Sequence, residues 1–310
     1  MITKYIKLKI EQLKFLSLLF FVLISAESYA CDFCGCNGSL TAQQGMNFGN
    51  LVGIHTAWES YALKFPEENF GNTSYSYLTN SLVGAMKVHP QISVAIQFPI
   101  TAVFLKNSVL QTQKKVGIGD LMTTVNWKYN LEREKLTHSF GVSGGIKFPT
   151  GKYEQYTEED GFTILPSLGT GSFDIPITVS YTILLERYGF FSQISAKFNT
   201  KNKHELHYGN QYIYRFGSYY RFYLKKAIVK PNIGIETRVQ QKNVVHHIIR
   251  KFSGMKSMGV FGAITLNVGN FELIPKVAIP FWNKVEGNKI APKPQVSFTL
   301  NYLISKKEKL

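Results

Sequence analysis

From Asn50 onward, apolar and polar positions alternate with period two. The last segment shows it most clearly: Val296, Phe298, Leu300, Tyr302 and Ile304 alternate with Ser297, Thr299, Asn301 and Leu303. One face is almost wholly apolar and the other mostly polar, as a half-buried strand requires. The same rhythm carries Val125, Trp127, Tyr129 and Leu131 against Thr124, Asn126 and Lys128. It returns in Ile175, Ile177, Val179, Tyr181 and Ile183 against Asp174, Thr178, Ser180 and Thr182. Further on, Tyr212, Tyr214, Phe216, Tyr220, Phe222 and Leu224 oppose Arg215, Gly217 and Arg221. Read this way, the chain holds about twelve strands, at 50–64, 74–88, 91–104, 118–131, 136–149, 172–184, 189–199, 211–225, 227–240, 257–268, 271–282 and 293–304.

The connections alternate as well. Even-numbered strands lead into short links such as His89-Pro90, Glu132 to Lys135, Leu185 to Tyr188, Lys226 and Gly269-Asn270. Odd-numbered strands lead into longer polar segments, among them 65–73, 150–171, 201–210 and 241–256. Short turns at one rim and long loops at the other are the asymmetry of bacterial outer-membrane barrels. Lipid cannot satisfy an open sheet edge, so the strands must close. The expectation is an all-β fold, an antiparallel transmembrane β-barrel with both termini on the short-turn, periplasmic side. A soluble sandwich would use strands of about five or six residues, shorter than these runs. Pro99, Pro176, Pro231, Pro275 and Pro280 fall inside the predicted strands, where each removes a ladder donor; they imply bulges or displaced strand ends.

The N-terminus predicts export to that membrane. Lys4, Lys7, Lys9 and Lys14 precede an apolar run from Phe15 to Ile24, and Ser28-Tyr29-Ala30 forms a cleavage site. The apolar run is too short to span a bilayer, which takes about 20 residues in a helix. The predicted organisation is a signal peptide at 1–30, a cysteine-containing segment at 31–49, the barrel at 50–304 and a basic tail at 305–310. The first thirty residues contribute +2 of the net +15. The mature excess suits anionic partners such as membrane lipid headgroups, lipopolysaccharide phosphates or acidic solutes. An exported chain with no nucleic-acid module is not expected to bind nucleic acid, and the oligomeric state is open.

Candidate chemistry lies in the lumen. On the predicted registers the inward face carries Glu59, Lys87, Lys128, Lys147, Lys197, Arg215, Arg221, Glu236, Arg238, Glu272 and Lys276, eight basic and three acidic residues. Twelve strands fall between the filled eight-stranded barrel and the water-filled sixteen-stranded one. Two readings stand side by side: a basic eyelet admitting anionic or aromatic solutes, and an internal salt-bridge network filling the barrel. The expected function is an outer-membrane channel or transporter for small solutes, with a non-conducting structural or binding barrel as the alternative.

All three cysteines, Cys31, Cys34 and Cys36, fall within six residues of the mature start. Three thiolates so close suit a soft metal; a disulfide with one free thiol, or a lipid on Cys31, would use them otherwise. No other cofactor is expected. His204, His207, His246 and His247 sit in predicted external loops, where solvation is their ordinary state. No Gly-x-Ser-x-Gly elbow is present, and an enzyme is not expected.

Several stretches carry a resemblance. Gly117-Ile118-Gly119-Asp120, Phe148-Pro149-Thr150-Gly151-Lys152-Tyr153 and Leu165-Pro166-Ser167-Leu168-Gly169-Thr170-Gly171-Ser172-Phe173-Asp174, taken in that order with Cys31-Asp32-Phe33-Cys34-Gly35-Cys36, resemble the outer-membrane barrel family of meta-pathway phenol degradation transporters. The cysteine-rich start resembles a Bacteroidetes-type branch of it. The resemblance implies a barrel and a transport role. From the residues alone, Gly151, Gly169 and Gly171 permit tight turns at the rim. Asp120 and Asp174 either cap loop amides or hold a cation.

Overall fold

The computed structural model describes residues 50–63, 73–107, 112–153, 167–249, 253–284 and 290–304. The predicted signal peptide, the cysteine segment and the basic tail lie outside the described residues. In chain order the strands are β1 (Leu51–Leu63), β2 (Thr73–His89), β3 (Ile92–Asn107), β4 (Gln113–Ile118), β5 (Met122–Arg133), β6 (Leu136–Lys147), β7 (Asp174–Leu185), β8 (Tyr188–Asn199) and β9 (Leu206–His207). There follow β10 (Gln211–Tyr220), β11 (Phe222–Leu224), β12 (Ala227–Gln240), β13 (Val244–Val245), β14 (Ile248–Ile249), β15 (Met255–Val268), β16 (Phe271–Lys284), β17 (Ile290–Pro292) and β18 (Gln295–Leu303).

Twelve of these make a closed antiparallel ring: β1, β2, β3, β5, β6, β7, β8, β10, β12, β15, β16 and β18, with β18 returning to β1. Closure satisfies every strand edge from within the sheet, the condition for crossing lipid. Most of the short pieces lie at the long-loop rim, where β4 pairs β3, β17 pairs β1, and β9, β13 and β14 form a small separate sheet, while β11 pairs β12 at a short turn. Two predicted strands prove to be interrupted. The one read as 118–131 overlaps β4 only at Ile118, leaves the ladder at Gly119–Leu121 and continues as β5, and the one read as 211–225 breaks at Arg221.

The prolines explain such irregularities. Each sits where the ladder on one side is broken, because proline has no N–H to fill the place facing that neighbouring strand. Pro99 lies between the end of the β3–β5 pairing and the start of β3–β4, and its carbonyl accepts a bond of 2.9 Å from Gly119 N–H. Pro176 falls in the gap of the β6–β7 register between Asp174 and Ile177. Pro231 faces the interruption between β10 and β11, and Pro275 the gap between Leu273 and Lys276 opposite β15. Pro280 adjoins the bulge at Met258/Gly259.

The alternation resolves into two surfaces. Val52, Ile54, Leu82, Ile96, Val125, Ile175, Val179, Phe216 and Phe298 are exposed outward, while His55, Ser81, Gln97, Thr124, Asn126, Thr178, Gln193 and Thr299 are buried inside. An apolar exterior around a polar interior is the inverse of a soluble core and belongs in lipid. Aromatic side chains gather towards the short-turn rim, including Trp127 stacked on Tyr129, Tyr188 against Tyr220 and Phe271 against Tyr302. Such girdles mark a membrane interface. Ile96→Arg, on the outer face of β3, is therefore expected to cost roughly 2–4 kcal/mol, the depth-dependent penalty of a cation facing mid-bilayer lipid. Urea unfolding from lipid vesicles reads it, and an unchanged midpoint would contradict the assigned outer face.

Candidate functional site

Three layers of side chains occupy the lumen. The first is where β4, β5, β6 and β7 meet the long loop after β6. Lys147, the last residue of β6, has its ammonium between two carboxylates: it binds Asp120 and lies 2.7 Å from Asp174 Oδ2. All three side chains are essentially buried. Asp120 Oδ1 accepts from Gly151 N–H at 2.9 Å, and its Oδ2 from Thr170 N–H at 2.9 Å. Ser172 Oγ–H donates to Asp174 Oδ1 at 2.9 Å. Thr150 replaces the ladder lost between β4 and β5, accepting from Leu121 N–H and donating to Gly119 O.

The three glycine-rich stretches read from the sequence thus converge on one clasp, and the cation their aspartates hold is Lys147. Gly151 and Gly169 approach so closely that a Cβ on Gly169 would lie 2.8 Å from Gly151 Cα and 2.5 Å from Asp120 Oδ1. Gly171 adopts φ +68°, a conformation glycine reaches at no steric cost. Gly169→Ala is expected to force the clasp open and lower thermal stability without changing the strand content seen by circular dichroism. A melting curve superimposable on that of the parent would contradict the close approach. The clasp sets Leu168 against inward-facing Tyr61, Tyr77 and Val103, an apolar cluster at the long-loop end of the lumen.

The second layer is an ion network. Arg215 Nε lies 2.5 Å from Glu236 Oε2, directly across the β10–β12 pair. Arg238 Nε lies 2.6 Å from Glu236 Oε1 and Lys276 Nζ 3.3 Å from Oε2. Arg238 also donates to Gln295 Oε1 at 2.7 Å and stands 3.8 Å from Glu59. One glutamate therefore serves three cations, a share that makes it the hinge of the layer. Nearby, His55 Nδ1 and Thr299 Oγ1 are 2.8 Å apart, and Lys276 lies over the Phe261 ring.

The third layer, towards the short turns, is hollow. A cavity of about 350 Å³ is lined by residues of β5, β6, β7, β8, β10, β12, β15, β16 and β18. Its charged lining comprises five basic side chains, Lys128, Arg215, Arg221, Lys230 and Lys276, and one acidic, Glu132. Phe191 and Phe261 add a tilted ring pair 6.1 Å apart. Arg221 lies 5.7 Å from the Tyr219 ring centroid.

Of the residues expected inside, the cavity gathers Lys128, Arg215, Arg221 and Lys276. Glu236, Arg238 and Glu59 belong to the ion network, and Lys147 to the clasp. Glu272 is fully buried and accepts from Asn301 at 3.0 Å. Lys197 is buried in β8, and Lys87 is exposed at the short-turn rim. Sequence reasoning missed Lys230, although it shares the parity of Glu236 and Arg238 on β12; the adjoining Pro231 disguised it. The loop histidines stay apart in role: His207 Nε2 lies 2.7 Å from Asn199 O, His204 stacks on Tyr153, and His246 and His247 make the positive-φ turn of the β13–β14 hairpin. In the same loops Lys201, 2.8 Å from Glu205, holds that carboxyl below its ordinary range. Among the described residues no three His, Cys, Asp or Glu groups come together to hold a metal. Cys31, Cys34 and Cys36 lie outside the described residues.

A closed twelve-stranded barrel with an apolar exterior, an aromatic girdle at its short-turn rim and a polar, basic lumen defines an outer-membrane β-barrel protein. The chain belongs to the family described as "Putative MetA-pathway of phenol degradation", whose model matches residues 46–272. Among solved structures it is similar to an outer membrane channel from Pseudomonas putida F1, at 14% identity and a TM-score of 0.63, covering 84% of this chain and 97% of that one. It also matches the β domain of the Bordetella autotransporter BrkA at 10% identity, with a TM-score of 0.46 and coverage of 82% and 99%. The CymD monoaromatic hydrocarbon channel matches at 7% identity, with a TM-score of 0.42 and coverage of 89% and 95%. No curated protein matches the chain.

Proposed function

We propose that this barrel is a channel for small solutes across the outer membrane and that its lumen favours anions. The observation that carries the reading is the charge of the cavity: five basic side chains against one acidic, within low-dielectric walls that focus their field. Arg215 and Lys276 share the single charge of Glu236 with Arg238, so the lining keeps a basic surplus. A purely structural barrel would need ion pairs only, as in the layer above, and would gain nothing from cations around a hollow. The membrane lipid that covers the outer face is its other partner; basic residues at the rims suit lipopolysaccharide phosphates on one side.

Purified protein in a planar bilayer should conduct, and in a salt gradient its reversal potential should lie on the anion side of zero. Absence of any conductance from folded, heat-modifiable protein would overturn the channel reading. For the N-terminus we propose soft-metal binding by Cys31, Cys34 and Cys36, supported by thiolate chemistry at that spacing. Reduced mature protein should take up about one Cu(I) or Zn(II) per chain, and the triple serine variant none.

A further inference from the structure

One feature of the hollow layer is costly unless something compensates it. Tyr219 pairs with Asn232 and Phe222 with Val229 across β10, β11 and β12. The same register sets Arg221 opposite Lys230, on adjacent strands and on the lumen side. Like charges directly opposite in a sheet repel and destabilise. The break in the ladder at Pro231 loosens this pair but does not remove it. Lys128 comes from β5, on a far part of the ring, and lies within electrostatic reach of Arg221, Lys230 and Lys87 as well as of Glu132. Three cations thus converge on one cavity from different walls.

Two acids nearby balance them only in part. Glu132 lines the same cavity. Glu272, within reach of Lys230, already takes a hydrogen bond from Asn301. Arg221 Nε is buried with no acceptor. The same lining carries the aromatic side chains Tyr219, Phe191 and Phe261. The volume falls in the range of small-molecule pockets, about 300–1,000 Å³.

We propose that Arg221, Lys230 and Lys128 form a binding site for the carboxylate of a small organic anion whose apolar body lies against Phe191, Phe261 and Tyr219. The proposal rests on the anion-favouring channel above and adds to it a site that saturates. Arg221 supplies the planar fork that matches a carboxylate. Lys230 and Lys128 supply point charges.

Benzoate is the probe, with inorganic phosphate as an oxyanion lacking an apolar body. In planar bilayers benzoate should reduce chloride current along a saturating curve, and phosphate should do so only at concentrations about tenfold higher, for want of apolar contact. Arg221→Gln and Lys230→Gln should each raise the half-blocking benzoate concentration about tenfold, the worth of one charge-assisted hydrogen bond, with block read as a fraction of each variant's own chloride current. Heat-modifiable mobility in gels confirms that each variant is folded; Arg221→Lys keeps the charge, loses the fork, and should weaken block to an intermediate degree.

Block that never saturates, block untouched by both glutamine variants, or phosphate as effective as benzoate would each overturn the site. If the barrel proves not to conduct, the channel reading fails while the site is still tested by calorimetry in detergent. One benzoate per chain, lost in Arg221→Gln, then upholds it, and no uptake removes it.

Discussion

Replacing Lys147 with methionine is expected to destabilise the barrel by roughly 3–5 kcal/mol, the cost of removing one partner from a buried ion cluster. The side chain is almost fully buried between Asp120 and Asp174. Without it two carboxylates would face each other in a dry site, and the loop legs at Gly151 and Thr170 would lose the aspartate that anchors them. Urea unfolding from vesicles, followed by Trp58, Trp127 and Trp282 fluorescence, measures the loss. The control is the neutral triad Asp120→Asn, Lys147→Met and Asp174→Asn. A buried ionic cluster replaced as a unit is often close to neutral in stability, so this variant should recover most of what the single change costs. The clasp also positions Leu168 against Tyr61, Tyr77 and Val103. The single variant should therefore show a larger and noisier conductance than the parent. A Lys147→Met barrel with parental stability and conductance would reduce the clasp to a bystander.

The barrel was legible in the sequence because period-two alternation survives wherever one face meets lipid and the other a polar lumen. Val125, Trp127 and Tyr129 point outward and Thr124 and Asn126 inward in the fold, as their spacing required. Strand breaks were less legible, since alternation says nothing of hydrogen-bond continuity. Gly119 to Leu121 keeps the rhythm of a strand while the chain leaves the ladder. The prolines held that information, but only a pairing partner shows on which side a missing N–H matters. Parity predicted which charges turn inward and not what each meets there. Lys147, Arg238 and Arg221 share an inward face, yet one is locked in a clasp, one in an ion network, and one opens on a cavity. Those fates depend on contacts between residues as far apart as Asp120 and Thr170, or Arg238 and Gln295. Such contacts are products of closure and leave no local trace. The glycine-rich stretches signalled that something tight forms at the rim; their convergence on one lysine emerged only in three dimensions.

That division decides which charges can be reversed to test selectivity. Arg215→Glu would set a second carboxylate opposite Glu236, which Arg215 Nε now meets at 2.5 Å, and any change in current would be confounded by collapse of the network. Arg221 and Lys230 stand away from Glu236 and line the hollow, where a reversed charge can be hydrated. The double variant Arg221→Glu, Lys230→Glu changes the lining from five basic and one acidic to three basic and three acidic. That lining is neutral, and beside it Glu236 and Glu59 against Arg238 leave one negative charge, so the local field should become negative. The reversal potential in a salt gradient should then cross zero to the cation side, with folding retained. The change should shrink in 1 M salt, where the screening length falls to about 3 Å, and be largest in dilute salt. A variant that folds and conducts but keeps the parental reversal potential would show that ions pass without sensing Arg221 and Lys230. The field that selects would then lie at the rims and outside the lumen.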